Sequence, residues 1–450
     1  MKNNHLGWLG VVRLGLVQTA LGAVVVLTTS TINRVIVVEL ALPVMLPGIL
    51  VAMHYAVQIL RPRIGYSSDI GGQRTPWIIS GMAVLALGGI GAAVATAWMA
   101  NQPVFGIGLA VLSFLMIGIG VGAAGTSLLV LLAKRVAEGR RAAAATIVWV
   151  MMIAGFAVTA GVAGHFLDPY SPSRLVLITS IVAGIAFVIT LLSVWGVEKH
   201  DNNVSAEDSP IHTPPHTFRT ALQQVWAEPE ARRFTIFVFI SMLAYSGQDL
   251  ILEPFAGTVF GLTPGESTQL AGLQHGGVLA GMLLVAFMCS VVSKHKPGAL
   301  RQWTIGGCIA SALALAGLAI AAWVGPGWPL RASVFILGIA NGAFAVAAIG
   351  SMMALAGTGR KRREGMRMGL WGAAQAIAFG LGGFLGASSV DLTRALFSTP
   401  NNAYAVVFSS QAVLFLLSAM LAVRVNKPQS AFKVVSKRPA FPPSEPAIIS

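Results

Sequence analysis

Tyr245-Ser-Gly-Gln248-Asp249-Leu-Ile-Leu-Glu253-Pro254-Phe-Ala-Gly-Thr-Val-Phe-Gly261-Leu-Thr-Pro-Gly-Glu-Ser-Thr-Gln-Leu-Ala-Gly-Leu-Gln274-His275-Gly-Gly-Val-Leu-Ala-Gly-Met282 lies between two long apolar runs. Membrane-crossing helices should flank this stretch or include it, yet it holds Gln248, Asp249, Glu253, Gln274 and His275. Ionisable groups at membrane depth are costly and persist where they face a cavity, a partner or a ligand. The rest of the chain reads as the scaffold that places them.

The chain has 450 residues, 55% hydrophobic and only 10% charged, with a mean hydropathy of +0.76. A soluble domain carries about 25% charged residues, so this is an all-α, multi-pass membrane protein. A helix needs roughly 20 apolar residues to cross a bilayer. Twelve runs meet that length, near 12–33, 40–60, 77–98, 104–133, 143–166, 174–197, 233–254, 267–292, 303–324, 331–356, 369–390 and 403–424. Between the sixth and seventh, polar and proline-containing sequence reads as a linker with a short amphipathic helix near 218–226. The expected organisation is a six-helix bundle over 1–198, a linker over 199–232, a second six-helix bundle over 233–425, and a proline-rich, disordered tail over 426–450.

The net charge of +14 does not mark a nucleic-acid binder, because the basic residues are scattered through short loops rather than gathered on one face. Their placement instead sets orientation. One set of loops carries Arg61, Arg63, Arg74, Lys134, Arg135, Arg140, Arg141, Lys294, Lys296, Arg301 and the run Arg360-Lys-Arg-Arg363; the opposite set holds only Arg34, Arg174, Arg331 and Arg394. Both termini and the linker are therefore expected in the cytoplasm. Cys289 and Cys308 lie in apolar runs and suggest neither a disulfide framework nor a metal site.

The loop after the second run reads Gly65-Tyr-Ser-Ser-Asp69-Ile-Gly-Gly72-Gln-Arg74. It resembles the loop motif of the major facilitator superfamily at Gly65, Asp69, Gly72 and Arg74, while Ile70 and Gln73 replace two of that family's arginines. The resemblance implies twelve helices in two six-helix halves, a substrate site near midplane between them, and a loop that biases the protein between its two open forms. The plain alternative is an ordinary basic turn, which would share the arginines but not the glycine–aspartate spacing.

Asp249 and Glu253 are four apart and share a helical face, and Pro254 is expected to end or kink that helix. His275 falls about nine residues into the eighth run, roughly 13 Å deep at about 1.5 Å per residue. His54, with Gln58 one turn on, is the other deep histidine. The first hairpin is read over Thr28–Pro43, where Arg34 and Glu39 can clamp one another although they are five apart. Three readings of these groups compete: a proton relay, a neutral histidine ligating a metal centre such as the magnesium of a chlorin, and plain hydrogen bonding between helices. Glycine rows at 118–125 and 380–386 read as close helix contacts. No nucleophile elbow, phosphate loop or zinc spacing is present, so an enzyme is not expected.

Taken together, Thr-Ser-Thr-Ile-Asn33-Arg34-Val-Ile-Val-Val-Glu39, the His54 helix, the Gly65–Arg74 loop and Gln248-Asp-Leu-Ile-Leu-Glu-Pro-Phe-Ala-Gly-Thr-Val-Phe-Gly261 resemble the PucC family, the bacteriochlorophyll delivery branch of the major facilitator superfamily. This resemblance implies a multi-pass protein of a bacterial cytoplasmic or intracytoplasmic photosynthetic membrane. It would carry bacteriochlorophyll, or a late precursor, to light-harvesting or reaction-centre polypeptides or to enzymes of the bacteriochlorophyll synthase type. On that view His54, Gln58, Gln248, Gln274 and His275 are pigment-site candidates, the two histidines as ligands of chlorin magnesium. Asp249, Glu253, Arg34 and Glu39 would gate the cavity or dock a partner. The alternatives are a proton-coupled small-solute transporter and an assembly chaperone that holds no pigment.

Overall fold

Within lipid, every backbone N–H and C=O must be satisfied inside the protein, so each long apolar run closes into a helix. A computed structural model describes residues 6–58, 73–137, 140–198, 226–292, 298–357, 364–397 and 399–425. The first six helices are α1 (Trp8–Glu39), α2 (Met45–Val57), α3 (Thr75–Met99), α4 (Pro103–Arg135), α5 (Arg141–Leu167) and α6 (Pro172–Val194). The second six are α7 (Pro229–Phe260), α8 (Pro264–Phe287), α9 (Ala299–Val324), α10 (Leu330–Gly357), α11 (Glu364–Leu396) and α12 (Pro400–Val425). Eleven of these are long and apolar enough to cross a membrane, and the described part of α2 is shorter. The described architecture is therefore eleven full-length apolar helices and the shorter α2, in two halves, which makes the twelve-span count approximate. The Gly65, Asp69 and Gly72 positions, the proposed helix near 218–226, and the tail lie outside the described residues.

Lipid-facing and buried sides separate by helical period. On α6, Leu177, Ile181, Ile185, Val188 and Leu192 are all exposed at three- or four-residue steps, the stripe expected of an outer helix. Inner helices instead carry buried glycine, alanine and polar side chains. The halves meet along two long seams, α5 against α8 and α2 against α11, and at the α1–α7 contact. The start of α1 and the end of α12 lie at one end of the bundle, and the opposite end is the distal end.

Two boundaries differ from the sequence reading. Residues 28–39 are not a hairpin: α1 continues to Glu39 through two π-helical segments, Leu27–Thr31 and Val35–Glu39, and the turn follows at 40–44, with Ala41 at φ 51°. Arg34 is consequently not a loop residue but sits inside α1, 2% exposed. Of the two outcomes expected at Pro254, an end is excluded: α7 runs on to Phe260 and stops at Gly261, whose φ of 68° supplies a left-handed cap. α8 starts at once, with Pro264 in its first turn and a reciprocal cap between Thr263 and Glu266.

Candidate functional site

The proline of α7 explains how the halves are tied. Pro254 has no N–H to give the carbonyl four residues earlier, that of Leu250. Asn33 Nδ2 on α1 donates to that carbonyl. A backbone acceptor stranded by one half is thus satisfied by a side chain of the other, which is why α7 continues through its proline. One helical step away, the Thr31 and Thr268 hydroxyls hydrogen-bond at 3.0 Å, joining α1 to α8.

Arg34 extends the same junction. Its Nη1 pairs with Glu39, and its Nη2 donates to the Leu262 carbonyl in the turn after α7. Residues five apart do not face each other on an α-helix, but a π-helical turn brings them together, and Glu39 closes such a turn. The guanidinium lies over Gly257, where an added Cβ would stand 3.1 Å from Nη2. Glu253, 3% exposed, is one turn from Gly257 and feels Arg34 as its opposite charge. Among the described residues its carboxyl oxygens accept no hydrogen bond of good geometry; the neighbouring Ser267 hydroxyl donates to the Pro264 carbonyl at 3.1 Å instead. In the 168–171 loop, outside the helices, the Tyr170 phenol is pushed up to about 12 by burial, with the Glu39 carboxylate adding to the effect and Arg34 opposing it.

Nearer the middle of the bundle, Gln274 Nε2 donates to the half-buried Asp249 carboxylate at 3.2 Å, joining α7 to α8. His275 lies within electrostatic reach of Asp249. Its Nδ1 bonds the Ala271 carbonyl at 2.9 Å, so Nδ1 carries a proton, and in the neutral ring the lone pair is on Nε2. The ring is 6% exposed and meets Phe156 of α5 edge-on at 5.0 Å. The early start of α8 sets His275 eleven residues past Pro264, about 16 Å along the axis, deeper than the sequence spacing suggested. Gln248 is 1% exposed, and neither end of its amide has a hydrogen-bond partner among the described residues. Asp249, Glu253, Gln274, His275, Arg34 and Glu39 therefore form one connected girdle at the junction of the halves.

His54 and Gln58 belong elsewhere. His54 Nε2 and Gln58 Nε2 are 2.9 Å apart, so the amide donates and occupies the ring nitrogen. The backbone of His54 lies against Gly118 of α4, and its ring meets Tyr55 edge-on at 4.8 Å. Tyr55 and Tyr245 both flank Phe379 of α11, with ring centroids 5.4 and 5.8 Å away. Arg74 is buried, and Glu198 accepts from its backbone N–H and from that of Thr75 at 2.7–2.9 Å, holding the start of α3. Asn33, Thr31 and Thr268 carry no role in the sequence reading. Pro254 was the available signal, since a proline inside an apolar run strands a carbonyl whose partner must come from outside its helix.

Comparison with known proteins places the chain in a family. The sequence profile of a family described as PUCC protein matches residues 31–430. A relative from Rhodobacter capsulatus, named bacteriochlorophyll synthase 44.5 kDa chain, is 54% identical over 429 residues, covering 95% of this chain and 98% of its own length. Protein PucC of the same species is 28% identical, with 92% of each chain covered. Among solved structures, a peptide transporter in complex with sulfate superposes with a TM-score of 0.66 at 15% identity, over 94% of this chain and 96% of its own; this is a likeness of fold. With the profile spanning α1 to α12 and a full-length relative above half identity, the chain belongs to the PUCC protein family, built on the scaffold of major facilitator transporters.

Proposed function

We propose that this protein serves the assembly of bacterial photosynthetic complexes by holding bacteriochlorophyll, or a late precursor, between its halves and handing it on. The receivers would be light-harvesting or reaction-centre polypeptides, or pigment-finishing enzymes of the synthase type. Family membership and the name of the 54% identical relative support a role in pigment handling. The transporter-like scaffold supports a carrying role rather than catalysis.

The observation that carries the reading is the Nδ1 hydrogen bond of the buried His275. A chlorin magnesium takes a neutral nitrogen, and with Nδ1–H donated to the Ala271 carbonyl the neutral ring would offer Nε2. Gln248, on the neighbouring α7, adds a buried amide whose hydrogen-bonding capacity is unmet among the described residues, suited to a polar substituent of a ring. His54 is the weaker ligand, because Gln58 already occupies its Nε2. The basic-loop pattern supports a cytoplasmic position for both termini and the linker in a cytoplasmic or intracytoplasmic membrane.

The test is purification of the full-length protein from pigmented membranes, with absorption spectra of the wild type, His275→Phe and His54→Phe. Pigment should co-purify with the wild type and with His54→Phe, and fall several-fold in a monodisperse His275→Phe preparation. A colourless wild-type protein that takes up no added bacteriochlorophyll overturns the carrier reading. The buried Arg34 and Glu253, with Glu39 at the exposed end of the same group, favour a second reading, ion-coupled solute transport, under which Asp249→Asn would abolish solute movement while pigment assembly stays normal.

A further inference from the structure

α2 begins with a deficient cap. Its N-cap position is Val44, which has no side-chain oxygen, and the preceding residues 40–43 are Leu-Ala-Leu-Pro. The first N–H groups of a helix have no partner within it and need an outside acceptor. Here the acceptor belongs to the other half: Asp391, near the distal end of α11, takes the N–H of Val44 on Oδ1 at 3.1 Å and that of Met45 on Oδ2 at 2.7 Å. The start of α8 is treated in the same way. Asp168, directly after α5, accepts from the Thr263 hydroxyl at 2.6 Å and from the Gly265 N–H at 3.2 Å. Gly265 leaves room for this, since a Cβ there would fall 2.3 Å from Asp168 Oδ2.

These two contacts are equivalent by repeat. α5 and α11 are the fifth helices of their halves, and α2 and α8 are the second helices. In each case a carboxylate at the distal end of a fifth helix covers the positive N-terminus of the opposite half's second helix. Both contacts sit at the distal ends of the long α5–α8 and α2–α11 seams. By contrast, Glu198 covers the start of α3 within one half. Capping within a half does not resist separation of the halves; capping across them does.

We propose that Asp168 and Asp391 are a repeat-related pair of latches that hold the two halves together at the distal end. Opening there requires both second-helix N-termini to give up their carboxylates, so the pair sets how readily the protein leaves the distally closed form. The latches are independent of what the cavity holds, and their test does not use pigment.

The full-length protein, with Cys289→Ser and Cys308→Ala, would carry nitroxide labels on Asn101→Cys in the α3–α4 turn and Pro326→Cys in the α9–α10 turn, both distal and exposed. Pulsed electron–electron resonance in lipid nanodiscs then reads the distance between the halves. The parent should give one short distribution. Asp168→Ala with Asp391→Ala should add a component longer by about 5 Å or more, the scale of a one-turn shift, and Glu198→Ala should reproduce the parent. If the double variant does not purify, each single alanine variant carries the test and should show a smaller longer-distance fraction. A parent-like distribution in the alanine variants overturns the proposal. So does an equal lengthening in Glu198→Ala, which would make the effect a general loss of helix capping.

Discussion

Asn33 and Pro254 make a separable pair at the residue scale. Removing the Asn33 amide strands the Leu250 carbonyl in the interior, where an unmet hydrogen bond costs about 1–3 kcal/mol. Pro254→Ala restores an N–H four residues after Leu250 and supplies the missing donor from within α7. Asn33→Ala should therefore lower the thermal midpoint of the purified protein, and Asn33→Ala with Pro254→Ala should recover much of the loss. A double-mutant cycle showing strict additivity would refute the shared carbonyl. Tyr170 offers a pH-dependent counterpart. Its phenol titrates near 12, above the ordinary value of 10.0, so the neutral form is favoured in the folded protein. The associated stability is complete below pH 10 and is lost as pH rises toward 12. Tyr170→Phe should flatten the alkaline fall in thermal stability over that window, measured against the wild type.

At the scale of the helix, close approach decides which small residues matter. Gly382 and Gly386 of α11 press against α7: a Cβ on Gly382 would lie 2.4 Å from the Leu243 carbonyl, and one on Gly386 would lie 2.7 Å from that of Gly247. Backbone cannot give way as a flexible side chain can. Gly382→Leu should therefore destabilise the fold by about 1–3 kcal/mol, as overpacking does, seen as a lower midpoint or reduced yield. Gly184 of α6 has open space around it, and Gly184→Leu should leave both quantities near wild type. The π-helical segments of α1 belong to this scale too. Without the extra residue in the Val35–Glu39 turn, Arg34 and Glu39 would point to different sides of the helix.

For the whole molecule, the polar side chains are concentrated where the halves meet, and the lipid-facing helices carry few. The girdle from Arg34 to His275 and the two aspartate caps all cross that junction. This layout fits a body that rearranges along the junction while each half moves as a unit. Orientation supplies a direct check. A cysteine at Asn101 in a cysteine-free background should react with a membrane-impermeant maleimide added to intact cells, whereas one at Gly298, at the basic end, should react only after the cells are opened. The reverse labelling would invert the topology drawn from the loop charges.

The many-span, all-helical architecture in two halves and the family were legible in the chain, because span length and local motif depend on neighbours in sequence. Asp249, Gln274, His275 and Glu253 were also legible as a group, since polar residues in apolar runs stand out without any fold. Which of them touch was not. The Arg34–Glu39 pair was expected, but the π turn that makes it, the carbonyl shared by Pro254 and Asn33, the separate surroundings of His54, and the capping of α2 by Asp391 each join residues distant in sequence or depend on one extra residue per turn. Hydrophobic periodicity is blind to both. Those contacts arise only when two halves pack and leave particular backbone groups with no water to turn to, so the tertiary structure alone decides them.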